Sequence, residues 1–156
     1  MAWKNLTVKK GIVEMLEKNG IKHKLDERNS IIEINRNLGV LGDVNFNVVI
    51  AKSYVVLIGF TFEPVSSEHL CNVITILNLI NSHLDCGKAY LYLSEDFSVN
   101  AKGEMYFGND SNVDSECLKR MYDRITSMII TMNNYGKAFG LLASGYSAYM
   151  AYNAIS

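Results

Sequence analysis

Apolar positions along this chain change period several times, and each change marks an element. From Thr7 to Asn19, Val8, Ile12, Met15 and Leu16 recur at helical spacing. Thr7 can accept a hydrogen bond from a free backbone amide at the start. Asn19-Gly20 gives the stop, because glycine tolerates the left-handed conformation at a helix end. From Ile21 the period shortens. Ile32 and Ile34 alternate with Glu33 and Asn35, the pattern of a half-buried strand, after a polar, turn-like Asp26–Asn29. Asn37–Asp43, with Gly39 and Gly42, predicts a loop. Val44–Ala51 and Tyr54–Phe62 flank Lys52-Ser53 and predict a hairpin. In the second of these strands Tyr54, Val56, Ile58, Phe60 and Phe62 share one face, while Val55 and Leu57 are apolar on the other. A strand apolar on both faces is either sandwiched or lies under a partner.

Pro64 ends the β region, and Ser66 or Ser67 can cap a second helix that runs to about Leu84. Leu70, Val73, Ile74 and Leu77 form its main stripe. Ile76, Leu79 and Ile80 widen it past one face, so the helix is buried on more than one side. Each such side chain contributes about 1.5–3 kcal/mol when fully buried. The helix therefore lies either deep in its own core or under a partner. Val55, Leu57, Ile76, Leu79 and Ile80 are on this ground the candidate protein-contact residues, and a homodimer is the expected assembly.

Ala89–Leu93 and Val99–Phe107 predict two more strands, with Ser94–Ser98 as the turn. Asn112 or Asp114 can cap a third helix, whose stripe begins Leu118, Met121, Tyr122, Ile125 and runs in phase through Phe139 and Leu142 to Tyr149. A single helix from Asp114 to Asn153 would be about 60 Å long. A compact domain of this size has a radius of gyration of about 15 Å. A break is expected near Asn133–Gly136 or near Gly140, where poor helix formers cluster. The expected organisation is one domain over residues 1–145 and a tail, 146–156, that is helical or loosely packed. The stretch from Ala138 carries no charged side chain, yet it is too poor in strongly apolar residues to read as a membrane span.

Composition narrows the function classes. A chain of 156 residues fits one domain. Its formal charge of -1 argues against a nucleic-acid partner, which needs a surplus of Lys and Arg. The early lysines, Lys4 to Lys24, are interleaved with acids and apolar residues and read as a solvated helix face. Cys71, Cys86 and Cys117 are odd in number and lack metal-site spacing, which fits reduced thiols. Met1–Lys10 has no apolar run of the secretory type, so a cytoplasmic location is expected.

Catalytic chemistry is poorly represented. His23, His69 and His83 lie in different elements, with no HxxxH or Cys-His spacing for zinc. Cys86 follows His83 closely, but no third group orients that imidazole. Gly136-x-x-x-Gly140 lacks the lysine-serine ending of a phosphate loop, and neither GxGxxG nor GxSxG occurs. Glu95-Asp96 and Asp26-Glu27 fall in turns, where acids are common. No metal or cofactor is expected, and no catalysis. Two alternatives stay open: a small-molecule sensor with Tyr90, Tyr92, Tyr106 and Phe107 lining a pocket, and an enzyme whose cleft gathers His83, Cys86 and an acid.

One block carries more specific information. The second helix ends in LNLIN, passes Cys86-Gly87 and enters AYLYLSED before turning into another strand. This block resembles the YbjN family, whose fold is similar to that of type III secretion chaperones. Asn78, Asn81 and Gly87 sit where that family has a paired-asparagine helix end, a glycine and a hairpin. The VDSECL opening of the third helix and Tyr135 also fit, and the resemblance spans about Val8 to Gly140. It implies an α+β fold, an antiparallel sheet with helices packed on it in the order α-β-β-β(-β)-α-β-β-α. It also implies chaperone-like or regulatory binding of a protein client. Physically, Asn78 and Asn81 either tie the second helix to the strand that follows, pairing backbone groups left free at its end, or face water.

Overall fold

The computed structural model describes residues 2–51, 53–83, 90–108 and 113–155, without the side chains of residues 2–7, 40, 62 and 63. The elements run α1 (Ala2–Lys18), β1 (Lys24–Asp26), β2 (Ile31–Asn37), a 3-10 turn (Gly39–Leu41), β3 (Asp43–Ile50), β4 (Tyr54–Pro64), α2 (Leu70–Ser82), β5 (Tyr90–Leu93), β6 (Ser98–Tyr106), α3 (Ser115–Ala143) and α4 (Ala148–Asn153). The strands form one six-stranded sheet in the order β1-β2-β3-β4-β6-β5, with every neighbouring pair antiparallel. This is the α+β arrangement expected from the sequence.

Local chemistry sets the boundaries. Gly20, at φ 65, ends α1 and lets the Ile21 amide reach back to the Leu16 carbonyl at 2.9 Å. Asp114 opens α3 by accepting from the Cys117 amide at 2.8 Å. The β4–β6 register is irregular between Phe60 and Pro64, and there the Thr61 side chain substitutes for the ladder. Its hydroxyl donates to the Val99 carbonyl at 3.3 Å and accepts from the Val99 amide at 3.1 Å.

The alternation along the strands points one set of residues into a single core. Ile32 and Ile34 of β2, Val44, Phe46 and Val48 of β3, Val55 and Leu57 of β4, Leu91 of β5 and Ala101 of β6 are buried on one face. They meet Ile12 and Leu16 of α1, Val73 and Ile76 of α2, and Met121, Ile125, Met128 and Met132 of α3 in one cluster. Gly59 belongs to this face. A Cβ there would lie 2.8 Å from the Phe46 ring and 3.7 Å from the Met128 sulfur, so glycine lets the ring lie flat on β4 beneath α3.

One expectation needs correction. α3 is unbroken through Asn133–Gly136 and Gly140, spanning 29 residues, about 44 Å. Gly136 is a packing glycine: it is buried, and a Cβ would stand 3.1 Å from the Leu38 carbonyl oxygen beside the 3-10 turn. That close approach, and burial of Tyr135, Ala138 and Phe139 around it, outweighs the low helix propensity. The chain turns instead at Gly145, whose φ is 91, and Ser147 then caps α4 by accepting from the Met150 amide.

The contact residues named from the sequence lie largely inside this chain. Val55, Leu57, Ile76 and Ile80 are buried inside this one chain, and Leu79 is half-buried. Val55 and Leu57 face the helices. α2 is wide because it is covered by β5, α3 and α4 together. Ala148 and Ala151 are buried where α4 returns onto α2 and α3, their small side chains allowing close approach. The apolar surplus of α2 is thus taken up by the chain's own tail.

Candidate functional site

All the buried apolar strand residues and the helices share one side of the sheet. On the other side no described element lies across the strands. The register sets its side chains in rows. Ile31, Val49, Val56 and Glu104 form one, across β2, β3, β4 and β6. The next is Glu33, Asn47, Ile58, Lys102 and Tyr90, and the third is Asn35, Asn45, Phe60, Asn100 and Tyr92. Tyr54 stands opposite Tyr106 at the end of β4. The middle of this open face is therefore an aliphatic and aromatic column one strand wide on β4, flanked by Val49, Asn47 and Asn45 on β3 and by Glu104, Lys102 and Asn100 on β6, with the β5 tyrosines beyond.

Its polar groups have both signs. Lys102 reaches Glu104 at 3.1 Å along β6, which raises the lysine pKa through that hydrogen bond and charge. Tyr90 and Tyr92 lean together with ring centroids 5.8 Å apart. Both are exposed, and Tyr106 is 69% exposed. Val49, Val56, Ile58 and Phe60 are half-buried, which on a sheet reflects shielding by neighbouring strands.

One edge of the sheet is capped by a side chain. β5 is one edge, and Leu91 would offer its amide and carbonyl outward to a further strand. The Asn81 carboxamide takes both: its Nδ2 donates to the Leu91 carbonyl at 2.7 Å, and its Oδ1 accepts from the Leu91 amide at 2.9 Å. One side chain thus ties the end of α2 to β5 and stands in for a missing strand. Asn78 is exposed, one helical turn back on the solvent side, and is not part of this tie. Gly87 lies outside the described residues. At the other edge β1 is only Lys24–Asp26. Asp26 turns the chain into β2 by accepting from the Arg28 and Asn29 amides and from the Asn29 side chain, which holds its carboxyl below the usual range, the Asn29 side chain first.

The residues considered for catalysis are dispersed. His23 bonds the Ile21 carbonyl through Nδ1 at 2.9 Å, and His69 lies 3.3 Å from Glu68. His83 is held at the end of α2, its Nδ1 2.8 Å from the Leu79 carbonyl oxygen, with its ring against Tyr152 at 5.6 Å. Cys86 lies outside the described residues, and Cys71 is exposed on α2. Among the described residues no cluster of His, Cys, Asp and Glu has the shape of a metal site. The four aromatics considered for a ligand pocket are divided: Tyr90 and Tyr92 stand on the open face, Tyr106 at its end, and Phe107 packs against the core. A mostly apolar cleft of about 200 Å³ lies between α2, α3 and β4, with His69 and Thr61 among its lining groups. Among the described residues no helix is long and apolar enough to cross a membrane.

No family profile and no curated protein matches the chain. Among solved structures it is similar to YbjN from E. coli, described there as a candidate transcription regulator. The similarity covers 81% of this chain and 92% of that one, with a TM-score of 0.51 and 11% sequence identity. At that identity the likeness speaks for architecture, and it coincides with the element order derived above: the chain has a YbjN-like fold.

Proposed function

We propose that the chain is a non-catalytic polypeptide-binding domain of the chaperone-like or regulatory kind, and that it works as a homodimer joined through the open face of its sheet. One observation carries this reading. Val56, Ile58 and Phe60 run down the centre of a six-stranded sheet whose helices, among the described residues, lie on the opposite side. An antiparallel sheet can leave one polar face to water, but an apolar column down the middle of that face marks it as a contact surface. The Asn81 cap on Leu91 and the short β1 disfavour strand addition, which leaves the face as the larger contact surface.

A second copy suits this face for two reasons. Its charges come in both signs on the same strand, Lys102 beside Glu104, so a two-fold axis can set each against its opposite. Strand spacing and rise make the face on the order of 500 Å² before side-chain relief is counted, the same order as the roughly 800 Å² per partner of a standard interface. The likeness to a candidate transcription regulator supports the regulatory version of this reading. The net charge of -1 favours action through protein rather than through nucleic acid.

Light scattering over a concentration series tests the proposal, with wild type beside Ile58→Asp. The aspartate stands on the open face, so the fold should keep its helicity, while the melting temperature falls with the loss of the dimer. Wild type is expected at twice the monomer mass and the variant at monomer mass. A wild type that stays monomeric at hundreds of micromolar, or a variant that still dimerises, overturns the assignment of this face.

A further inference from the structure

We infer a second site, on the helix side of the protein: a groove between α3 and the end of β6 that binds a small organic oxyanion, a phosphoryl or carboxylate group, through Arg120 and Arg124. This goes beyond the proposed dimer and does not depend on it. The groove is about 480 Å³ and is lined by Met105, Tyr106, Cys117, Arg120, Asp123, Arg124 and Ser127. Arg120 and Arg124 are four residues apart on α3, so the helix holds two like charges side by side. Such a pairing is mildly unfavourable, and Asp123 in the same groove offsets only part of the positive charge.

Arg124 supplies the second, independent observation. Its Nη1 is fully buried, with no hydrogen-bond partner among the described residues. A buried guanidinium donor without an acceptor is expensive, and native proteins rarely leave one; the half-buried Arg124 side chain also lines the groove, and a small turn of its head toward an anion there gives that donor an acceptor. Its fork of N–H groups matches the two oxygens of a carboxylate or phosphoryl group. Ser127, one turn further along α3, offers a hydroxyl donor to the same space. Asp123 also lines the groove; its carboxylate opposes anions and leaves the site with a net charge of about +1, which favours one small anionic group over a polyanion. Tyr106, largely exposed at the rim, offers a ring for the organic part of such a ligand.

Thermal melting and side-chain NMR test this at constant ionic strength, with inorganic phosphate, phenyl phosphate, benzoate and chloride as probes. Phosphate or benzoate should raise the melting temperature of wild type by at least 2 °C at ten millimolar, estimated from mass action with a Kd of about 1 mM, and should shift the Arg124 Nε–H resonance. Whichever of the two acts identifies the anion class, and phenyl phosphate should exceed inorganic phosphate through Tyr106. Arg124→Gln should abolish the response, and Arg124→Lys should keep part of it. Equal shifts in wild type and Arg124→Gln, or no response to any probe beyond chloride, overturn the site. Because these readouts are independent of oligomeric mass, failure here leaves the dimer proposal standing, and the reverse.

Discussion

Asn81 holds Leu91 by two hydrogen bonds through a single carboxamide, at 2.7 and 2.9 Å, bridging the last turn of α2 to the edge of the sheet. Asn81→Leu leaves the Leu91 amide and carbonyl without these partners, and should lower unfolding free energy by about 1–3 kcal/mol. Asn78→Leu, on the exposed side of the same helix, should change it by less than about 0.5 kcal/mol. Urea denaturation with unchanged slope measures both. Equal midpoints for the two variants would count against the bridge.

Freeing the Leu91 backbone has a further consequence. Asn81→Leu opens a strand edge to pairing, so the variant should aggregate faster than wild type at temperatures well below its melting point. Turbidity against time measures this. An aggregation rate that merely follows the loss of global stability would show that the carboxamide plays no guarding role.

Gly59 and Phe46 test the packing beneath α3. A Cβ at Gly59 would meet the Phe46 ring at 2.8 Å, and that ring is buried with little room to move. Gly59→Ala should therefore cost about 1–3 kcal/mol through overpacking, in spite of the conformational freedom that alanine removes from the unfolded chain. Combining it with Phe46→Leu should relieve part of the clash, giving a non-additivity of about 0.5 kcal/mol or more in a double-mutant cycle. Strict additivity would place the strain elsewhere.

Tyr135 links the fold to alkaline pH. Burial first, and then the neighbouring Tyr152, push its phenol up to about 12 from the ordinary 10.0. The folded pKa is thus above the unfolded one. The stabilisation is complete below about pH 10 and is lost as pH rises toward about 12, at about 1.4 kcal/mol per pH unit. Tyr135→Phe removes this loss. Its stability should fall less steeply than that of wild type between pH 10 and 12, and the two profiles should run parallel below. Parallel profiles throughout would show that Tyr135 ionises freely in the folded protein.

How much of this was legible in the sequence follows from the range of each interaction. Local signals read well: the Asn19-Gly20 stop, the Asp114 cap, and the period-two pattern of Ile32 and Ile34 depend on neighbours along the chain. The unbroken α3 was not legible, because Gly136 is retained by contact with Leu38, nearly a hundred residues earlier. The same holds for Ile76 and Ile80. Their surplus of apolar surface is visible in the sequence, but the cover comes from α4, whose alanines and tyrosines carry weak signals. The two-sided apolar character of β4 was legible. Which side stays open was not, since that depends on where the helices dock: Val55 and Leu57 turn toward the helices, Val56 and Ile58 away from them. Arg120 and Arg124 are visible in the sequence as like charges at helical spacing, but the burial of the Arg124 head depends on packing between α3 and β6.

The open face is the centre of the account, and intermolecular contacts measured on it test the account most directly. A sample mixing isotope-labelled and unlabelled chains, read by isotope-filtered NOE spectroscopy, reports only contacts between copies. The prediction is a set of cross-peaks from the Val56 and Ile58 methyl groups of one copy to aromatic protons of the other, growing with concentration. Absence of such peaks, or their appearance at Ile74 on α2 instead, would contradict a dimer built on the open side of the sheet.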